Sequence, residues 1–285
     1  MKKSIKIDSC KVELYEFGSG KPEVFIVAGI HGDEATGVYT AFRLVEFLQN
    51  KDLKGKVKIV PVANPPAFRR KTRTTPIDGK DLNRVFPGSK DGSFSDKLAF
   101  SLWSIAVESD YILDLHCCGL NCCPYILALH QEYSYVKEYV SKIPLLYCVE
   151  STGLRGQLFI EASHNKIPAA IIEVKGGNGT YDEEHSKILL RAVLSLLANL
   201  ELIKAFKMPG SPVFLGKIRQ IESPTEGFFK PLLAPGNLVD ESTVIGLIEG
   251  ILVEAETRGV LISIMQSSYV LEKEKIANIA PLMDK

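Results

Sequence analysis

The order of apolar and polar positions divides the chain into alternating strand-like and helix-like stretches as far as about residue 206. EVFIVAGI (23–30) is a short, β-rich apolar run. HGDE follows it, and then ATGVYTAFRLVEFL, whose apolar positions recur at helical spacing; together they read as strand, turn and helix. KVKIVPVAN (56–64) predicts the next strand, stopped by Pro65 and Pro66. PPAFRRKTRTTPIDGKDLNRVFPG, rich in Pro, Gly and Arg, predicts a long loop, and a connection of that length inside a compact domain is usually functional. KLAFSLWSIAVES is helical in pattern, and YILDLH (111–116) is a buried strand. PYILAL, LLYCVE and AAIIEV (169–174) continue the strand series, with a helix expected over EYSYVKEYVSKI. EEHSKILLRAVLSLLANLELIKAF is the longest amphipathic stretch. Strands alternating with helices predict an α/β sandwich around a largely parallel or mixed sheet.

Beyond residue 206 the texture changes to short β-type runs separated by Pro and Gly turns, with no helical period. A small all-β domain is expected there, which divides the chain into 1–206 and 207–285. LLAPGNLVDESTVIGLI resembles the barrel-sandwich hybrid of biotinyl and lipoyl domains. Those carry a cofactor on a lysine at a hairpin tip, where this chain reads EAETRG. A β-domain packed beside the first domain is therefore expected, rather than a carrier.

Composition narrows the class. Apolar residues make up 46% and charged residues 24%, ordinary for a globular enzyme. Lys plus Arg equals Asp plus Glu at 34 each, so no general attraction to nucleic acid or an anionic membrane is expected. Basic residues cluster only at RRKTR, inside the long loop. The N-terminal stretch lacks the apolar run of a signal peptide, and no segment approaches the roughly 20 apolar residues of a membrane span. These features predict a cytoplasmic protein with reduced thiols, acting on a small molecule and without nucleic-acid or membrane partners; a homo-oligomer is compatible with them.

The candidate chemistry sits at the predicted strand ends, where ligands bind in α/β sheets. His31 and Glu34 stand three apart where a strand turns into a helix, a spacing that lets both reach one divalent ion. His116, from another strand end, supplies a possible third ligand; a buried histidine satisfied by a backbone carbonyl is the competing account. Two histidines and a carboxylate form the open ligand set of hydrolytic zinc enzymes. DLHCCGLNCC (114–123) packs four cysteines behind His116, but CC-x3-CC is not zinc-finger spacing. In an extended chain Cys117 and Cys118 point to opposite faces, so the four are read as small, partly apolar loop residues, with a structural thiolate site and redox chemistry as the competing accounts.

GIHGDE, NPPAFRRKTRTTPIDGKDLNR, ILDLH and IIEVKGG, in that order, resemble the zinc carboxypeptidase superfamily, and within it the succinylglutamate desuccinylase/aspartoacylase family. The resemblance covers roughly residues 23 to 180. It implies a three-layer α/β/α zinc-carboxypeptidase-like domain with a mixed sheet, followed by a β-domain. It also implies one zinc ion per chain on His31, Glu34 and His116, and a substrate carboxylate held by Asn83 and Arg84. Arg73 would polarise the scissile carbonyl and Glu173 would act as general base, giving Glu-assisted attack of zinc-bound water on an N-acyl amino acid or related amine. Arg69 and Arg70 compete with Arg73 for that alignment. Aspartoacylases carry a second carboxylate-binding arginine about ten residues before the glutamate; here Ser163 and His164 stand there, and Arg155 is a possible substitute. A metallocarboxypeptidase acting on short peptides, or an inactive binding protein of the same fold, are the competing functions.

Overall fold

In the computed structural model, which describes residues 1–205 and 207–283, the predicted run of strands becomes one mixed sheet. Its strands are β1 (Lys2–Ile7), β2 (Cys10–Ser19), β3 (Glu23–Ala28), β4 (Gly55–Val60), β5 (Tyr111–Cys117), β6 (Tyr125–Ala128), β7 (Tyr147–Glu150) and β8 (Ala169–Val174). A short ribbon of β9 (Gly176–Gly177) and β10 (Thr180–Tyr181) follows β8, and β11 (Val213–Lys217) joins the sheet's far edge. The order is β1-β2-β4-β3-β5-β8-β6-β7-β11. The chain leaves β3 towards β4 and then returns to β5 on the other side of β3. That reversal opens a crevice at the carboxyl ends of β3 and β5.

Alternation along the buried strands supplies two cores. Val24, Ile26, Leu113, Leu115 and Ile172 face α1 (Ala35–Leu48), α4 (Ser134–Val140) and α6 (Glu183–Asn199). Phe25, Val27, Ile112 and Ile171 face α3 (Phe94–Ala106) and α5 (Leu158–His164). The result is the expected three-layer α/β/α arrangement. The N-terminal hairpin β1–β2 was not evident in the pattern, because β1 is exposed over most of its length.

Two expectations are corrected. The long loop begins as a helix, α2 (Pro65–Arg70), because proline is tolerated at the first helical positions and the Asn64 side chain accepts the Ala67 N–H (3.3 Å). The longest helix stops at Asn199: Glu201 takes a left-handed conformation (φ 62°) and the Leu202 N–H bonds back to the Leu197 carbonyl. The predicted end of that helix at Phe206 lies outside the described residues.

From Arg219 onward the chain forms two antiparallel four-stranded sheets. Their strands are β12 (Arg219–Glu222), β13 (Gly227–Pro231), β14 (Leu238–Val239), β15 (Val244–Ile248), β16 (Ile251–Glu254), β17 (Gly259–Ile264), β18 (Ser268–Val270) and β19 (Lys275–Pro281). The orders are β12-β19-β17-β14 and β16-β15-β13-β18, closed over a core that includes Phe229, Ile245, Leu261 and Ile279. Val260, Ile262 and Ala280 pack against Tyr125, Val149 and Leu215 of the large sheet. Among the described residues no helix is long and apolar enough to cross a membrane.

Candidate metal centre and substrate site

The crevice between β3 and β5 gathers three of the predicted residues. His31 sits on the turn after β3, Glu34 occupies the position before the first turn of α1, and His116 lies near the end of β5. The turn is tight because Gly32 lies against α2: a Cβ there would come 2.0 Å from the Ala67 carbonyl carbon. One ligand atom from each of His31, Glu34 and His116 falls within 4.8 Å of the others, and all three side chains are buried. Glu34 Oε1 lies 2.7 Å from His31 Nδ1 and Oε2 lies 2.9 Å from His116 Nδ1. The Cys117 N–H donates to Oε2 (2.9 Å).

Each histidine is backed by a carboxylate. His31 Nε2 lies 3.0 Å from Asp81 Oδ1, and His116 Nε2 lies 2.8 Å from Asp114 Oδ2. Burial opposes charge on every member. For Glu34 it is outweighed by His116 and His31, which hold the carboxyl well below the usual range. For His31 the hydrogen bonds to Asp81 and Glu34 outweigh burial and raise the imidazole. For His116 burial is outweighed by the negative charges of Asp114 and Glu34, which raise the imidazole more strongly. The carboxylates around these histidines favour positive charge at the centre, and a divalent cation there would supply it. The donor set, two imidazole nitrogens and a carboxylate oxygen, is one that zinc accepts.

Glu173 is paired in register with His116 across β5 and β8, so its side chain stands on the same face. Burial pushes its carboxyl up to about 7, offset in part by His116. Its Oε2 is buried without a hydrogen-bond partner among the described residues.

Arg73 reaches the site from the long loop, with Nη2 3.1 Å from Asp81 Oδ2 and Nη1 3.7 Å from Glu34 Oε1. Arg69 and Arg70 are exposed on α2, and neither shares these contacts. Asn83 is buried on a 3₁₀ turn capped by Asp81, and its Oδ1 accepts the Leu158 N–H (3.1 Å), while its amide N–H₂ has no partner among the described residues. Arg84 donates to the Asn83 carbonyl (2.5 Å) and lies 3.9 Å from Asp81. Asp81 thus joins a histidine, both arginines and the asparagine turn. Sequence reading passed it over, although it opens the DLNR motif. Its carboxyl is also held low: burial opposes this, but the His31 hydrogen bond and charge, then Arg73 and Arg84, prevail.

Other possible substrate residues are otherwise engaged. Arg155 forms a two-point pair with the buried Glu161 (Nε to Oε1, 2.7 Å). Ser163 donates to the Phe159 carbonyl. The expectation of reduced thiols meets one difference: Cys118 and Cys122 are disulfide-bonded, because the turn at Gly119 (φ 95°) brings their Cα atoms to 6.1 Å. Cys117 points the other way, into the face under α1, and burial pushes its thiol up to about 12.

Known proteins resemble this chain in sequence and in fold. The profile of the succinylglutamate desuccinylase/aspartoacylase catalytic domain matches residues 20–200. N-alpha-acetyl-L-2,4-diaminobutyric acid deacetylase of Halomonas elongata is 30% identical, over 82% of this chain and 72% of its own. The structure of an aspartoacylase family protein from Mesorhizobium loti superimposes with a TM-score of 0.81 at 27% identity, covering 97% of this chain and 90% of that one. A succinylglutamate desuccinylase/aspartoacylase from Rhodobacter sphaeroides shares the fold, with a TM-score of 0.84 at 21% identity over 96% and 90% of the two chains.

Proposed function

The chain belongs to the succinylglutamate desuccinylase/aspartoacylase family and is a hydrolase of amide bonds; from that premise we propose that it is a zinc-dependent deacylase, freeing the amine of an N-acyl amino acid or related small molecule. The observation that carries the proposal is the convergence of His31, Glu34 and His116 beside Glu173, whose Oε2 is buried without a partner among the described residues and which is in register with one of the histidines. His31, Glu34 and His116 would hold one zinc ion, which when bound lowers the pKa of a water towards about 7 and polarises a carbonyl oxygen.

The chain's own residues do the rest. Glu173 takes a proton from the attacking water and returns it to the departing nitrogen; a carboxyl tuned near neutrality suits both transfers. Arg73, anchored by Asp81, donates to the carbonyl oxygen as it gains charge, the kind of contact whose loss costs about 10²–10³ in rate. Asn83 Nδ2 and the Arg84 guanidinium receive the substrate's carboxylate. Ser163 is tied to the backbone and Arg155 to Glu161, so neither offers a second carboxylate clamp. A substrate with a single carboxylate beside the amide follows, the class to which the Halomonas relative's named substrate belongs.

The test is amine release from a panel of N-acyl amino acids, N-acetylated diamino acids and short peptides by zinc-loaded protein. Chelator-sensitive release from the N-acetylated diamino acids, and none from N-acetylaspartate, is expected. Release of C-terminal residues from peptides instead would favour the carboxypeptidase reading. Glu173→Gln should lower turnover by at least about 10²-fold with zinc content unchanged; near-normal activity would sink the assignment.

A further inference from the structure

We propose, on the reading of Glu173 as the proton-transferring carboxylate, that Tyr125 is a further substrate-binding residue, its phenolic oxygen accepting the N–H of the scissile amide. The argument starts from register. Glu173 is paired with His116 on one side, in parallel β5, and with Tyr125 on the other, in antiparallel β6. Directly paired residues on adjacent strands point to the same face of a sheet. His116, Glu173 and Tyr125 therefore form one row across three strands, on the face that carries Asp114 below His116.

The phenol has no work inside the protein. Tyr125 is 6% exposed, yet its hydroxyl makes no hydrogen bond among the described residues, whereas Tyr133, Tyr135, Tyr139 and Tyr147 each have one. Its ring is held by Val149, Leu215, Val260 and Ile262, so packing accounts for the ring but not for the hydroxyl. Register puts the ring on the face of Glu173 and His116, and burial, then the nearby charges of Glu173, Cys123 and Glu34, raise the phenol well above its ordinary range. Glu173 Oε2 is buried without a partner, and the Tyr125 hydroxyl, on the residue paired with it in register, has no partner among the described residues. Such groups are satisfied when a ligand supplies the missing hydrogen bond.

The row also orders the substrate. The acyl carbonyl lies towards His31, His116 and Arg73. The nitrogen must come to Glu173 to be protonated as it leaves. Continuing along the row, Tyr125 meets the nitrogen and its hydrogen. A tyrosine that fixes the N–H also fixes the direction of the lone pair that Glu173 protonates.

Tyr125→Phe keeps the ring and removes only the hydroxyl, so thermal stability and zinc content should not change. The decisive comparison pairs an N-acetylated diamino acid with its inert ketomethylene isostere, in which CH₂ replaces N–H. For the variant, kcat/KM on the amide should fall about tenfold. The inhibition constant of the isostere, which has no N–H to lose, should stay unchanged. If amide and isostere weaken together, or neither weakens, the hydroxyl does not read the N–H and the proposal is overturned. Glu173→Gln, measured alongside, separates the two levels: retained turnover there would remove the premise, whereas an inactive Glu173→Gln with an unaltered Tyr125→Phe removes this inference alone.

Discussion

Asp81 shows what a single residue does in this site. One oxygen faces His31 Nε2 and accepts the Asn83 N–H; the other accepts from Arg73 Nε at 3.2 Å. An anion in that place fixes the imidazole tautomer that leaves Nδ1 facing the centre, and it aims the arginine. Asp81→Asn preserves the shape but removes the charge. Zinc affinity is expected to fall about 10–100-fold, read from the chelator concentration that strips half the metal; an unchanged midpoint would show that Asp81 does not position the ligand. Residue by residue, the candidate site was legible where chemistry restricts the choice. Few residue types bind zinc, and His31, Glu34 and His116 stand at strand ends where a ligand set is expected. Tyr125 was not legible: in PYILAL it alternates like any core residue, and only the register with Glu173 reveals what it faces.

At the scale of elements, the long arginine-rich connection is fastened rather than slack. Asp78 accepts from Ser93 Oγ (2.6 Å), the Ser95 N–H (2.8 Å) and Ser95 Oγ (2.8 Å), tying the loop to the start of α3. Lys80 bonds Asp96 at 2.6 Å, and the Gly32 N–H bonds the Thr72 carbonyl, joining the loop to the ligand turn. Burial works against the Asp78 charge, but the serine hydrogen bonds outweigh it and lower the carboxyl below its usual value. A carboxyl depressed in the folded state contributes stability above its unfolded pKa, about 3.9, and that stability disappears as pH falls through the folded value. Asp78→Asn should therefore destabilise by about 1 kcal/mol at pH 7 and by progressively less below about pH 4, measured from urea midpoints at both pH values. A penalty of equal size at low pH would rule out the charge as its source. Loop length and composition announced a functional segment, but α2 was hidden because Pro65 and Pro66 read as breakers until the Asn64 cap is seen.

For the molecule as a whole, the question is how the β-sheets after residue 219 relate to the zinc-carboxypeptidase-like layers. The strand and turn texture predicted all-β structure there, but no pattern in one sequence says which of its faces meets the first sheet. That face is Val260, Ile262 and Ala280, laid on Tyr125, Val149 and Leu215, with Cys123 N–H bonded to the Ile262 carbonyl at 3.0 Å. The loop after His116 is thereby stitched to β17, so the candidate site has part of its backing from the C-terminal sheets. An apolar seam reinforced by main-chain hydrogen bonds couples the unfolding of its two sides. Trp103 on α3 is the sole tryptophan and reports only on the first part of the chain, whereas far-ultraviolet circular dichroism also reports on the C-terminal strands. The two signals should give one coincident denaturant transition. Ile262→Ala, which opens a cavity in the seam, should lower stability by about 2–4 kcal/mol and move both curves together. If circular dichroism lost its β-signal before Trp103 fluorescence changed, the C-terminal sheets would be unfolding alone, and their backing of Tyr125 would have to be dispensable for the rest of the fold.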